Sequence, residues 1–327
     1  MALSGAAHSS ASVVGLGCWQ LGGDWGDVSE DDALAVLRAA HESGVTFFDT
    51  ADVYGDGRSE SLIARFRAEL GDAADSIMVA TKVGRRADPF VAETYTGENL
   101  RAWVDRSRTN LAMDTLDLVQ LHCPPPAVYD MDPVFDVLAE LRSEKAIAGF
   151  GVSVETCAEA LTAIARPGVV SVQIILNAFR LKPLDEVLPA AAEAGVGVIA
   201  RVPLASGLLA GKYTSATTFD ETDHRNYNRD GAAFDIGETF SGVDYETGLA
   251  AVEELRAALP EDVPLAPAAL RWIIEQPGLT TVIPGARNAA QVRRNAAAGS
   301  SELPAGFTDA VRTVYNEMLR ADIHPRW

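Results

Sequence analysis

Four polar side chains of this 327-residue chain are of types suited to proton transfer. Asp49 lies at the end of the apolar run VTFFDT, and Tyr54 follows it closely. Lys82 lies within IMVATKV, and His122 ends LDLVQLH. Because an unpaired ammonium is costly to bury, Lys82 requires a carboxylate, which Asp49 could supply. A cationic lysine favours phenolate, so we expect Lys82 to lower the pKa of Tyr54 and prepare it for acid–base chemistry.

These residues lie in a repeated pattern of short apolar runs and longer amphipathic segments. The runs predict eight strands, at 12–16, 45–50, 77–83, 116–122, 146–153, 169–176, 196–204 and 279–286. The segments between them predict helices at 59–70, 96–113, 132–143, 155–165 and 184–194, with others starting near Ser29 and Asn288. Eight successive strand–helix units predict a single (β/α)8 barrel.

An open, doubly wound sheet is the alternative architecture. Such a sheet normally carries a GxGxxG phosphate-binding turn after its first strand. Here Gly15 and Gly17 supply the first two glycines, but Gln20 occupies the third position. The barrel is therefore favoured, and its active site would lie at the carboxyl ends of the strands.

One segment, 207–245, has no periodicity and is rich in Thr, Asp, Asn and Gly. Because it follows the seventh strand, a barrel would place it on the catalytic face. We interpret it as a lid within one domain covering 1–327, although a tolerated surface insertion is the alternative. Segment 307–319 predicts a C-terminal helix.

Composition excludes several classes of protein. The formal net charge of −19 disfavours a nucleic-acid or anionic-membrane partner. No run of about 18 apolar residues predicts a membrane span, and no signal peptide is evident. Three separated cysteines without a CxxC pair argue against a metal site or a disulfide framework. We therefore expect a cytoplasmic protein without a metal.

Several motifs, taken in order, resemble the aldo-keto reductase family over nearly the whole chain. They are VVGLGCWQLGG (13–23), FFDTADVYGDGRSE (47–60), ATKVG (80–84), LDLVQLHCPPP (116–126), GFGVS (149–153) and IPGARNAAQVRRN (283–295). The resemblance implies a barrel that binds NADPH in an extended form and reduces an aldehyde or ketone by hydride transfer. It also implies a catalytic tetrad of Asp49, Tyr54, Lys82 and His122. Tyr54 would be the general acid, tuned by the Lys82–Asp49 pair, and His122 would orient the carbonyl.

The same resemblance implies residues for each part of the cofactor. The nicotinamide carboxamide would be held by Ser153 and Gln173, and the turn of Gly17, Cys18, Trp19 and Gln20 would approach its ribose. The pyrophosphate would lie against Leu204, Ser206, Gly207 and Lys212. The adenosine end would contact Gly285, Arg287, Gln291 and Asn295, where a 2′-phosphate would meet a guanidinium and a helix N-terminus.

The chain departs from the family pattern at two positions. Val154 stands where many members have asparagine, and Arg201 stands where many have an aromatic ring stacked on the nicotinamide. A guanidinium can stack on a ring as well. Beside the positively charged oxidised nicotinamide, however, Arg201 would be unfavourable, so we expect it to favour carbonyl reduction.

The sequence does not name the substrate or the oligomeric state. Pocket shape would depend on Trp19, Trp25, Val53, Tyr54, residues 124–126 and the long segment 207–245. A sugar or polyol dehydrogenase is an alternative, in which polar lid residues would bind a hydroxylated substrate: Asp220, Asp223, Arg225, Asn226 and Asn228. A cofactor-sensing binding protein of the same fold is a second alternative.

Overall fold

The barrel strands follow one another in chain order. The computed structural model describes residues 11–23 and 28–327, so Trp25 lies outside the described residues. The strands are β1 Leu16–Gly17, β2 Phe47–Asp49, β3 Met78–Val83, β4 Leu118–His122, β5 Phe150–Ser153, β6 Val169–Ile175, β7 Gly197–Arg201 and β8 Thr281–Val282. Each pairs in parallel with the next. Bridges Val14–Val282 and Gly17–Gly285 join the first and last segments. The predicted (β/α)8 barrel is confirmed.

Helices cover the outside of the barrel. The first six are α1 Glu30–Glu42, α2 Arg58–Leu70, α3 Gly97–Leu111, α4 Asp132–Ser143, α5 Cys157–Ile164 and α6 Lys182–Ala194. Their starts carry local signals. The Ser29 side chain accepts a hydrogen bond from the Asp32 amide, and Thr156 and Glu159 form a capping box.

The later helices are α7 His224–Tyr227, α8 Tyr245–Ala257, α9 Leu265–Ile274, α10 Ala289–Ala297, α11 Phe307–Val314 and α12 Arg320–Ile323, with a π-helical turn at Tyr315–Leu319. The predicted C-terminal helix is therefore present. The sequence patterns did not identify α8 and α9, which both lie between β7 and β8. Asp244 caps α8 by accepting from the Thr247 amide, and this start signal was available in the sequence.

Several predicted strands were too long. The fifth was expected at 146–153 but spans Phe150–Ser153, and the eighth was expected at 279–286 but spans Thr281–Val282. The seventh was expected at 196–204 but ends at Arg201, because Val202 turns the chain with a φ of 51°. The first was expected at 12–16, but regular pairing is confined to Leu16–Gly17, with Val14 in an isolated bridge. The chain needs these turns to leave the barrel wall.

The alternating direction of side chains along each strand places the polar residues on the inner face of the barrel. The barrel interior holds a separate apolar cluster that includes Phe47, Met78, Ala80, Leu118 and Ile199. Successive side chains of a strand point to opposite faces, so every second residue continues the interior face. The polar residues that follow on that face are Asp49 in β2, Lys82 in β3, Gln120 and His122 in β4, and Arg201 in β7.

No helix among residues 11–23 and 28–327 has the length and apolar character that crossing a membrane requires.

Candidate active site

A buried ion pair lies at the carboxyl end of β2 and β3. Lys82 donates its ammonium to Asp49, and both side chains are almost fully buried. The same Nζ donates to the Thr50 carbonyl at 2.9 Å and lies 3.4 Å from the Tyr54 hydroxyl. The carboxylate compensates the buried ammonium, and the ammonium is directed at the phenol. The phenol oxygen is therefore held beside a fixed positive charge.

The second oxygen of Asp49 is held by two amides. Gln173 donates to Asp49 Oδ2 at 2.7 Å, and Gln120 donates to the same oxygen at 3.3 Å. Gln120 was not identified from the sequence, although it precedes His122 by two residues in an otherwise apolar strand. That spacing places both side chains on one face. Gln173 was expected at the carboxamide, and here its amide also fixes the carboxylate that partners Lys82.

Burial controls the proton affinity of Tyr54. Burial raises the pKa of Tyr54 to about 12, against the opposing effect of Lys82. The expected net lowering of this pKa by Lys82 is therefore wrong for the protein alone, because desolvation of the phenolate outweighs the ammonium. Burial also disfavours the ammonium, but Asp49 and Tyr54 outweigh it and raise the pKa of Lys82. Tyr54 is a protonated acid and Lys82 is a cation at neutral pH.

His122 lies beside Tyr54 as a neutral imidazole. The two rings meet edge to face with their centroids 5.9 Å apart. Burial lowers the pKa of His122 well below its usual value, assisted by the nearby charges of Arg85, Lys82 and Arg201. Its Nδ1 is buried and has no hydrogen-bond partner within the described residues. A neutral imidazole can donate an N–H to a carbonyl oxygen without adding charge to the site.

One cavity of about 640 Å³ brings the predicted site residues together. Lys82 does not line it, and lies behind Asp49 and Tyr54. The residues predicted from the sequence that do line it are Gly17, Cys18, Trp19, Gln20, Asp49, Tyr54, His122, Ser153, Gln173, Arg201, Leu204, Ser206, Gly207, Lys212, Gly285, Arg287, Gln291 and Asn295. We call the part around Tyr54, His122 and Arg201 the reactive end, and the part around Arg287 the adenosine end.

Arg201 at the reactive end is shared by two carboxylates. Its guanidinium lies 2.5 Å from Glu238 and 2.8 Å from Glu155, and it donates to the Val154 carbonyl at 2.9 Å. Arg85 lies 4.0 Å from Glu155. The sequence predicted that Arg201 would be an uncompensated cation; this premise is wrong, because Glu155 and Glu238 balance its charge.

The sequence reasoning missed Arg85, Glu155 and Glu238. Glu155 could have been suspected, because it follows Ser153 by two residues just beyond the end of β5. Glu238 lies in the aperiodic segment, where no spacing indicates which side chains face the barrel. Its position depends on how segment 207–245 folds back.

Segment 207–245 folds back over the cavity, and aromatic side chains close part of it. His224 stacks near Trp19 with ring centroids 5.1 Å apart, and Phe234 meets Trp19 edge-on at 6.0 Å. Asn228 donates to the Thr239 hydroxyl at 3.2 Å, which ties two parts of the segment together. The segment therefore forms part of the cavity wall.

The polar lid residues suggested for a hydroxylated substrate are mostly engaged elsewhere. Asp223 is paired with Arg225, Asn228 holds the lid, and Asp220 accepts from Thr222. Of the five suggested residues, Arg225 lines the cavity. The cavity lining therefore does not support a role in substrate binding for the other four residues, Asp220, Asp223, Asn226 and Asn228.

The turn after β7 has a strained backbone conformation that directs its residues toward the cavity. Ser206 and Gly207 have φ values of 53° and 97°, in the left-handed region. A Cβ at Gly207 would lie 2.4 Å from the Tyr213 hydroxyl oxygen, so glycine is needed there. The Ser206 hydroxyl donates to the Glu238 carbonyl and accepts from the Phe240 amide, both at 3.0 Å. Ser206 thus ties residues 238–240 to the turn after β7 as well as lining the cavity.

The adenosine end is built around the start of α10. Asn288 caps the helix by accepting from the Gln291 amide, and Gln291 accepts from the Arg287 amide at 2.6 Å. Asn295 donates to the Gly285 carbonyl at 3.2 Å. The side chains of Lys212, Arg225, Arg287 and Arg294 line this end. Positive side chains and a helix N-terminus suit the phosphates of a dinucleotide.

Unsatisfied polar atoms in the cavity wall also fit a large polar ligand. Gln20 Oε1, His122 Nδ1 and Arg201 Nε are buried and lack partners within the described part of the chain. Buried polar groups are normally paired, so these atoms indicate positions where a ligand would complete the hydrogen bonding. The cavity therefore fits an extended dinucleotide with a small second substrate at the reactive end.

Ligand atoms of Cys123, Glu155 and Glu238 lie within 4.8 Å of one another, as in a metal site. Arg201 contacts both carboxylates and already supplies their positive charge.

Comparisons with known proteins agree with this architecture. Residues 13–316 match the model of the aldo/keto reductase family. Aldo-keto reductase YhdN of Bacillus subtilis (strain 168) is 30% identical, over 86% of this chain and 83% of its own length. D-threo-aldose 1-dehydrogenase of Pseudomonas sp is 28% identical, over 92% of this chain and 93% of its own.

A solved structure is similar over the whole chain. Glycerol dehydrogenase AKR11B4 from Gluconobacter oxydans is 26% identical, with a TM-score of 0.78 over 100% of this chain and 99% of that chain. The chain therefore belongs to the aldo/keto reductase family of oxidoreductases.

Proposed function

We propose that this protein is an NADPH-dependent reductase of small-molecule aldehydes or ketones, with Tyr54 as the proton donor. The observation that carries the proposal is the position of the Tyr54 hydroxyl, 3.4 Å from the buried Lys82 ammonium and beside a neutral His122, at one end of a long cavity. We further propose that 1–327 functions as one domain, with 207–245 as its lid.

Tyr54 is suited to act as a general acid. With its pKa raised to about 12, the phenol keeps its proton at neutral pH until an oxyanion develops close by. The Lys82 ammonium then stabilises the phenolate that remains after transfer. Asp49 keeps Lys82 in place, and Gln120 and Gln173 keep Asp49 in place. His122 would hold the carbonyl oxygen through a neutral N–H.

The cofactor would lie along the cavity, with its nicotinamide at the reactive end. A bound NADPH supplies the hydride that adds to the carbonyl carbon. Ser153 and Gln173 would hold the carboxamide, and the Gly17–Gln20 turn would meet the ribose. Leu204, Ser206, Gly207 and Lys212 would cover the pyrophosphate. Gly285, Arg287, Gln291 and Asn295 would hold the adenosine end, where the Arg287 guanidinium favours a 2′-phosphate and hence NADPH over NADH.

A tyrosine substitution tests the assignment. Tyr54→Phe should lower kcat for carbonyl reduction by about 10²–10⁴-fold, because the general acid is lost. The Kd for NADPH, measured by fluorescence, should stay within about twofold. Tyr95→Phe is the matched control. It removes a buried hydroxyl outside the cavity lining, and should leave kcat unchanged. Retained turnover in Tyr54→Phe would exclude the proposed role.

The two alternatives have their own readouts. NADPH binding without turnover over a broad carbonyl panel would favour a cofactor-sensing protein. Faster turnover of sugars or polyols with NADP⁺ would favour a dehydrogenase, the activity named for the Pseudomonas and Gluconobacter proteins.

A further inference from the structure

The charged groups at the reactive end are equal in number. The cations are Lys82, Arg85 and Arg201, and the carboxylates are Asp49, Glu155 and Glu238. His122 is neutral, since burial and its cationic neighbours lower its pKa. Arg180, which donates to the Glu155 carbonyl at 2.7 Å, and Asp235 lie beside this set and add one charge of each sign. The end as a whole therefore carries no net charge when these carboxylates are ionised.

Glu238 differs from the other five because it belongs to the lid. The others lie in strands or in the residues directly after them, whereas Glu238 reaches the wall from the turn Ile236–Glu238. Its side chain is only 11% exposed and lies 2.5 Å from the Arg201 guanidinium. Two hydrogen bonds through Ser206 fix the backbone next to it. The lid thus introduces one negative charge at a defined place.

The negative charge of Glu238 is not needed merely to balance the positive charge of Arg201. Glu155 already contacts the guanidinium at 2.8 Å, and the Val154 carbonyl accepts from the same nitrogen. Burial, with a further contribution from Glu155, raises the pKa of Glu238 despite Arg201. A second buried carboxylate therefore costs free energy in the isolated protein. Such a local cost is expected where function, and not stability, determines the residue.

We propose that Glu238 sets the relative affinity of the protein for the two oxidation states of its nicotinamide cofactor. The inference rests on the proposed function, because it requires the nicotinamide to bind at the reactive end. The oxidised ring carries a positive charge and the reduced ring is neutral, so the two forms differ by one charge at this place. With Glu238 present, the reactive end is neutral. Without it, the reactive end would carry a net positive charge that disfavours the oxidised ring.

This assignment reverses the effect expected from Arg201 alone. An uncompensated guanidinium would repel the positive ring and weaken binding of the oxidised cofactor. Arg201 does not have this effect in the proposal, because Glu155 and Glu238 balance its charge. A positive ring also relieves the repulsion between the two carboxylates. Glu238 therefore determines specificity for the oxidation state of the cofactor. It reaches the reactive end only when the lid is folded over the cavity.

Equilibrium binding of both cofactor forms tests the proposal. The Kd values for NADP⁺ and NADPH are measured for wild type, Glu238→Gln and Glu238→Asp at one ionic strength. In Glu238→Gln the ratio of Kd for NADP⁺ to Kd for NADPH should rise about tenfold, because one charge is removed at short range. Glu238→Asp keeps the charge and should keep the ratio near that of wild type. Glu221→Gln removes a charge from an exposed lid position and should leave the ratio unchanged.

Each outcome separates the two proposals. If wild type binds neither form, the proposed function fails and this inference fails with it. If wild type binds both forms and Glu238→Gln changes the ratio by less than about twofold, only the charge assignment fails. Equal weakening of both forms would also overturn it, since that result indicates a role in lid docking alone. Should Glu238→Gln not fold, Glu155→Gln removes the same charge from the barrel side and is expected to shift the ratio in the same direction.

Discussion

The two ends of the cavity differ in the way their charges are balanced. At the adenosine end, Lys212, Arg225, Arg287 and Arg294 line the wall, and Asp223 is paired with Arg225 and lies 3.8 Å from Arg287. At the reactive end, three cations face three carboxylates. The first end has an excess of positive charge and the second has none.

The difference matches the chemistry proposed for each end. Phosphates stay negative throughout a reaction, so a permanent excess of cations suits them. In the proposed reaction, a proton leaves Tyr54 at the other end, and the charge of the nicotinamide ring would change with its oxidation state. A balanced set of charges can respond to both changes without strongly favouring one state. This distinction also explains how a chain with a net charge of −19 can hold an anionic cofactor.

The most severe way to break the reactive end is to remove Lys82. Lys82→Met would leave Asp49 buried without its cation, which should lower the free energy of unfolding by about 3–5 kcal/mol. Carbonyl reduction should also be lost, because the phenolate loses its cation. Denaturant unfolding and steady-state kinetics measure the two effects. The double variant Asp49→Asn/Lys82→Met should regain most of the stability but not the activity; unchanged stability in the single variant would contradict the account.

A second change removes a buried carboxylate in the segment between β2 and Tyr54. Asp52 is fully buried, and both its carboxyl oxygens lack hydrogen-bond partners within the described residues. Burial, followed by the nearby Glu60, raises the pKa of Asp52 to about 7, against Arg86 and Arg106. Because its pKa is higher in the folded state than in the unfolded state, Asp52 destabilises the protein progressively as pH rises from about 4 to about 7.

Asp52→Asn should therefore stabilise the protein more at pH 8 than at pH 5, by about 2 kcal/mol. Unfolding by denaturant at the two pH values measures this difference. Exposed Asp220→Asn is the control, and should show no gain at pH 8. An equal effect of Asp52→Asn at both pH values would show that Asp52 is ionised throughout.

The smallest expected effect sharpens the role of the adenosine end. Arg287→Ala should weaken NADPH binding about tenfold and NADH binding less than about threefold, because only NADPH carries the 2′-phosphate. Arg293→Ala, in the helix α10 that follows Arg287, is the control; this exposed arginine is paired with Glu42 and does not line the cavity. Equal weakening of both cofactors by Arg287→Ala would argue against a 2′-phosphate at this arginine.

The local sequence was enough to predict the barrel and the polar residues at its strand ends, and the family resemblance supplied most of the remaining cavity residues. Eight apolar runs separated by amphipathic segments determine the number of strand–helix units, and the two-residue period of each strand determines which side chains face inward. Asp49, Lys82 and His122 follow from that period and from their places at strand ends. Gln120 obeys the same rule and could have been included. The positions after β7 that the family resemblance indicated line the same cavity.

The features that remained hidden depend on groups distant in sequence. Glu238 meets Arg201 only because an aperiodic segment folds back onto β7, and no local pattern encodes that docking. The direction of the Tyr54 pKa shift likewise required the tertiary structure, since burial opposes Lys82 and outweighs it. The sequence by itself determined which residues lie on the inner face of the barrel, because backbone periodicity is local. Only the tertiary structure decided how their charges are balanced, because burial and pairing depend on every element packed around them.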